Sequence, residues 1–136
     1  MARDQFIEHY RTSLAMHGLP LGDPDALEGT PTTGVPVSLQ AWYEVAGNSR
    51  LNSAHNRILG PGLLRYADDK VIFAVENQEA VVWGFDAATT ADDPEIWQGQ
   101  TAEADDRFEW YSEEALLSRF LMTMLDRTIS HERPIA

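Results

Sequence analysis

The chain has no cysteine in its 136 residues, which excludes a disulfide framework and any thiolate metal site. It has no apolar run near the ~20 residues that span a bilayer. Its start, Met1-Ala2-Arg3-Asp4, leads into an amphipathic helix pattern and not into the continuous apolar core of a signal peptide. These absences point to a soluble cytoplasmic protein without a membrane partner. Positive charge is scarce as well: Lys and Arg total 10 against 22 Asp and Glu, a net charge of −12. An acidic surface repels phosphate backbones, so no nucleic-acid partner is expected.

What is present suffices for one domain over residues 1–136. A hydrophobic fraction of 43% and 4 Trp can build a core, and roughly 65–70% of the unfolded chain's surface is expected to be buried at this size. The negative charge is concentrated. Ten carboxylates lie between Asp86 and Glu114 against the single cation Arg107, whereas no carboxylate occurs between Glu44 and Asp68, where Arg50, Arg57 and Arg65 sit. Such a segment would attract a basic partner and speed the encounter. It could equally do no more than keep a small protein soluble.

Helical spacing of Phe6, Ile7, Tyr10 and Leu14 predicts a first helix from near Asp4 to Met16, with Gly18 placed to end it. Residues Gly18 to Gly34 read as a long loop. A second helix is expected from Pro36, with Leu39, Trp42, Tyr43 and Ala46 on its apolar stripe and Gly47 as its stop. Asn48 to Gly62 shows little periodicity, and Leu63 to Tyr66 reads as a short strand. Val71–Val75 and Ala80–Phe85 are the firmest strands, with Glu76–Glu79 as the hairpin loop between them. Asp92 to Asp106 reads as irregular, with at most a brief strand around Ile96. The last helix is expected to open near Ser112-Glu113-Glu114, where a hydroxyl and two carboxylates suit a helix N-terminus. Its stripe would be Leu116, Leu117, Phe120, Leu121, Met124 and Leu125, each worth roughly 1.5–3 kcal/mol when buried. This order gives an α+β fold with a small antiparallel sheet and helices packed on one face.

Three short patterns carry a resemblance. They are the Val35-Pro36-x-x-Leu39-x-x-Trp42-Tyr43 helix entry, the Phe73-Ala74-x-Glu76-Asn77-Gln78 turn followed by Trp83-Gly84, and Asp92-Asp93-Pro94-x-x-Trp97. Together they resemble the SUKH superfamily, which holds immunity proteins of bacterial toxin systems and fungal regulators of cell-wall synthesis. The likeness is strongest over residues 35–125, and the segment before it adds little. The chain departs from the pattern at Glu79-Ala80, where relatives commonly carry Gly. The resemblance implies a SUKH-like α+β fold, no catalysis, no cofactor, and a protein as the partner.

Sites of chemistry are sparse. His9, His17, His55 and His131 are scattered without metal-ligand spacing, and Asp92-Asp93 before a proline is an ordinary turn start as well as a conceivable cation ligand. Ser53 and His55 lack the Gly-x-Ser-x-Gly elbow of a hydrolase, and Gly60-Pro61-Gly62 is too short for a phosphate loop. No metal, cofactor or catalytic residue is therefore expected.

The acidic segment is interleaved with Trp97, Phe108, Trp110 and Tyr111. Aromatic anchors inside a polar rim are the composition of an interface hot spot. The competing reading puts Phe108 and Trp110 in the core beneath the last helix. Trp97 fits either reading. Glu76, Asn77 and Gln78 serve as turn residues or as surface lining, and Trp83 as core or as a groove-lining donor. The candidate partner-binding residues are thus Glu76, Asn77, Gln78, Trp83, Asp92, Asp93, Trp97, Asp105, Asp106 and Trp110. The expected function is an immunity protein that binds and neutralises a toxin domain with a basic surface. A non-catalytic intracellular adaptor of the same superfamily is the alternative.

Overall fold

The sheet is antiparallel throughout, with strands in the order Asn56–Ile58, Lys70–Glu76, Val81–Asp86, Glu95–Thr101 and Phe108–Leu116, and Arg65–Ala67 paired beside the first of these on Lys70–Glu76. The computed structural model describes residues 3–18, 34–46, 56–76, 80–101 and 108–132, with side chains of the last stretch as far as 125. Along the chain run α1 (Arg3–Met16), α2 (Val37–Ala46), β1 (Asn56–Ile58), a 3₁₀ turn (Pro61–Leu63), β2 (Arg65–Ala67), β3 (Lys70–Glu76), β4 (Val81–Asp86), β5 (Glu95–Thr101), β6 (Phe108–Leu116) and α3 (Leu117–Glu132). The fold is α+β.

The first two helices form where the spacing places them. Phe6, Tyr10 and Leu14 are buried on one face of α1, and Gly18 follows its end at φ +68°, a conformation glycine adopts without strain. In α2 the stripe of Leu39, Trp42, Tyr43 and Ala46 is widened by Ser38, Ala41 and Val45, so most of the helix is buried. Both buried tyrosines find acceptors: Tyr10 Oη donates to Ser38 O at 2.9 Å and Tyr43 Oη to Leu59 O at 2.6 Å. Burial pushes both phenols well above their usual pKa, and the charge of Asp93 adds to the effect at Tyr10. They act as neutral donors that fasten α1 to α2 and α2 to the sheet.

The two faces of the sheet differ. Val71, Phe73, Ala74, Trp83, Phe85 and Ile96 join the residues of all three helices in one core. A bulge between Ile72 and Ala74 breaks the alternation of β3 and turns both Phe73 and Ala74 toward the helices. Phe120 of α3 meets Phe73 edge-on at 5.6 Å and Trp83 at 5.5 Å. Leu59, Ile72, Val75 and Val82 form a second, smaller cluster with Leu64, Ala67, Phe108 and Trp110 packed against it, and among the described residues no helical one belongs to it.

Several sequence expectations need correction. The last helix opens at Leu117, not near Ser112, because residues 112–116 complete β6. Ser112 pairs across the sheet with Trp97, its hydroxyl donates to Glu95 Oε1 at 2.5 Å, and it accepts the Glu114 N–H at 3.0 Å. The capping group comes instead from a distant segment. Asp93 Oδ1 accepts the Ser118 N–H at 2.9 Å and Oδ2 accepts its hydroxyl at 2.6 Å, while Leu117 N–H donates to Pro94 O at 2.8 Å. Leu116 therefore leaves the expected stripe and is half exposed, while Leu117, Phe120, Leu121, Met124 and Leu125 are buried as expected.

The supposedly irregular stretch after Asp92 contains the seven-residue β5, an interior strand whose polar Glu95, Gln98 and Gln100 mask its alternation. Leu63 ends the 3₁₀ turn, and the short strand is Arg65–Ala67, with β1 added upstream in the stretch that shows little periodicity. Phe108 and Trp110 pack on the side of the sheet opposite α3, not beneath it. The loop interior at 19–33, Gly47, Ser53 and His55 lie outside the described residues.

Candidate functional site

Of the ten candidate residues six are described, and among these the structure brings Trp97 and Trp110 together and places the other four elsewhere. Both indoles lie over one cation, Lys70, whose Nζ is 5.2 Å from the Trp97 ring centre and 5.8 Å from that of Trp110. Trp83 faces the helices and is buried. Glu76 is half-buried at the end of β3, opposite Asn56. Asp92 is exposed, and its carbonyl accepts the Ser38 N–H at 2.9 Å, while Asp93 is occupied in capping α3. Asn77, Gln78, Asp105 and Asp106 lie outside the described residues.

Lys70 was missed by sequence reasoning, which treated its strand only as a strand. The available signal was composition: Lys70 is the single lysine of the chain and follows Asp68-Asp69 directly. Its side chain is only 8% exposed, yet Nζ reaches Asp69 Oδ1 at 2.7 Å and Asp86 Oδ1 at 2.8 Å. The turn between β2 and β3 makes this possible. Asp68 takes φ 55°, a left-handed conformation that aspartate tolerates better than most residues, and Ala67 pairs directly with Lys70. Asp68 Oδ2 then accepts the Trp110 indole N–H at 2.9 Å. Beneath Trp110, Gly99 leaves room for the ring, since a Cβ there would come within 2.8 Å of it. Phe108 packs alongside at 5.5 Å between ring centres.

The electrostatics fix the protonation of Lys70. Burial, the largest single influence, lowers its pKa, but the hydrogen bonds and charges of Asp69 and Asp86 together outweigh it and leave the pKa above the ordinary lysine value. Asp69 is held below the ordinary carboxylate range, first by its hydrogen bond from Lys70 and then by that charge. A nucleophilic or Schiff-base lysine needs a depressed pKa, and this one is shifted the other way. The ammonium instead fixes two indoles on the sheet by cation–π contact. The result is a partly exposed aromatic surface beside the exposed Asp68, Asp69 and Asp86.

On the helix side, a cleft of about 440 Å³ opens between the end of β6 and α3, lined among others by Trp83, Glu113, Glu114, Arg119 and Phe120. Trp83 Nε1–H donates to Glu113 Oε1 at 2.9 Å. Trp83 is thus both core and groove lining. Among the described residues no three His, Asp or Glu side chains gather as a metal site. Nor, among those residues, is any helix long and apolar enough to cross a membrane.

No protein-family model, curated protein or solved structure matches the chain.

Proposed function

We propose that the chain is a non-catalytic binding protein that recognises a basic protein partner, and that it acts as an immunity protein neutralising a toxin domain. The observation that carries this reading is the sheet face opposite α3, where Trp97 and Trp110 are held over Lys70 beside Asp68, Asp69 and Asp86. Fixed indoles lose little entropy on binding and are favoured as interface anchors. Carboxylates around them, in a chain of net charge −12, supply steering toward positive charge. The toxin assignment rests on the SUKH-like patterns at Pro36–Tyr43, Phe73–Gln78 and Asp92–Trp97.

The raised Lys70 pKa supports a structural rather than a chemical use of this buried cation. The reading is tested by measuring association with the partner across a salt series. The rate should fall steeply with ionic strength and the complex should be one-to-one. Binding that ignores both salt and a Trp97→Ala, Trp110→Ala double variant would remove this face from the account.

A further inference from the structure

The cleft beside α3 lies on the opposite side of the sheet from the Lys70 face, and it has its own chemistry. Phe120 and Met124 of α3 and Trp83 of β4 give it an apolar floor, while Asn56, Glu113 and Glu114 bring oxygen atoms to its walls. Its volume of about 440 Å³ is ample for one long side chain. Glu113 is fixed in place because its Oε1 accepts two bonds, from Trp83 Nε1–H at 2.9 Å and from Gln98 Nε2–H at 3.0 Å. Gln98 is itself held by Gln100, whose Nε2–H donates to it at 2.8 Å. Among the described residues no donor reaches the other Glu113 oxygen, Oε2. One cation, Arg119, and two carboxylates line the cleft among these residues, which leaves it negative.

We propose that this cleft receives an arginine side chain of the partner protein, its guanidinium on Glu113 Oε2 and its stem against Phe120 and Met124. The proposal rests on the protein-binding reading above and adds a contact on the other side of the sheet. A negative lining rejects carboxylates, and an apolar floor favours a side chain with a hydrocarbon stem. Arginine suits it better than lysine. The planar fork can address acceptors on separate walls, Asn56 and Glu113, and is less strongly hydrated than an ammonium. Pairing with a carboxylate already oriented by two donors requires little reorganisation.

The test uses the full-length chain labelled with ¹⁵N and the probe N-acetyl-arginine-N′-methylamide, with the citrulline analogue as its uncharged isostere. The Trp83 indole N–H should shift saturably with the arginine probe and not with the citrulline one. Glu113→Gln keeps an acceptor for Trp83 and Gln98 but presents a donor to the cleft. It should weaken the arginine probe roughly tenfold or more, the loss of one charge-assisted hydrogen bond. Arg119→Gln, which removes a competing cation, should tighten it. Equal response to both probes, no saturation, or indifference to Glu113→Gln would overturn the proposal. The probe needs no partner, so the two readings fail separately. A saturable arginine site with no protein partner recovered would sink the binding-protein reading. A recovered partner that binds Glu113→Gln undiminished would overturn the cleft alone.

Discussion

The indole N–H of Trp110 donates to Asp68 Oδ2 at 2.9 Å, across 42 residues of sequence. That bond ties β6, the last strand in the sheet order, to the turn between β2 and β3. Trp110→Phe removes the donor and keeps a ring over Gly99. It is expected to cost about 0.5–1.5 kcal/mol, the net worth of one hydrogen bond. Urea unfolding midpoints check this, and an unchanged midpoint would mean that the bond does not hold the face together.

Two glycines should respond differently to alanine. A Cβ at Gly84 would lie 2.6 Å from the Val71 carbonyl oxygen, which is backbone and part of the β3–β4 pairing. Gly84→Ala is expected to cost about 2–3 kcal/mol through overpacking. At Gly99 the nearest atom, 2.8 Å away, belongs to the Trp110 ring, which is partly exposed and can swing outward. Gly99→Ala should therefore cost less, yet shift tryptophan fluorescence to longer wavelength as the ring gains water. Equal losses for the two variants would contradict this geometry.

The Lys70 cluster makes stability depend on pH at both ends. Asp69 has a lowered pKa in the folded state, so its contribution is present above the unfolded value and lost as pH falls through the folded one. Lys70 has a raised pKa, so its contribution is present below the ordinary lysine value and lost as pH rises through the raised one. In Lys70→Met the shift at Asp69 disappears. The stability gap between wild type and this variant should narrow as pH falls from neutral to about 3, through the carboxylate range. Urea unfolding at a series of pH values measures it, and a gap independent of pH would rule the coupling out.

The adjacent Asp92 and Asp93 have separate expected roles. Asp93→Ala removes the acceptor for the Ser118 N–H and hydroxyl at the start of α3 and should cost about 1–2 kcal/mol, as lost helix caps do. Asp92, whose side chain is exposed, should tolerate alanine within about 0.5 kcal/mol. Thermal unfolding of the two single variants distinguishes them.

How much of this was legible depended on whether the deciding interaction was local. The α1 and α2 stripes and the β3–β4 pair were readable, because each buries a face whose period shows in a short window. Ser112-Glu113-Glu114 misled because it has the composition of a helix start, while the real cap, Asp93, is 25 residues from Ser118. β5 was hidden because its polar side chains bond to one another and to Glu113 on the sheet. Trp97 and Trp110 were legible as aromatic candidates, but their meeting over Lys70 depends on strand order, which no short window contains. Trp83 was readable as both core and donor, whereas its partner Glu113 was read as part of a helix start.

The central claim is that the Trp97–Trp110 face binds a basic protein. The most direct measurement is co-purification from the native cell with the tagged wild type and the Trp97→Ala, Trp110→Ala variant side by side, with recovered proteins identified by mass spectrometry. The expected result is a basic toxin domain recovered one-to-one by the wild type, its toxicity suppressed in the complex, and lost from the folded variant. Recovery of the same protein in equal amount by both, or of none by either, would contradict the account.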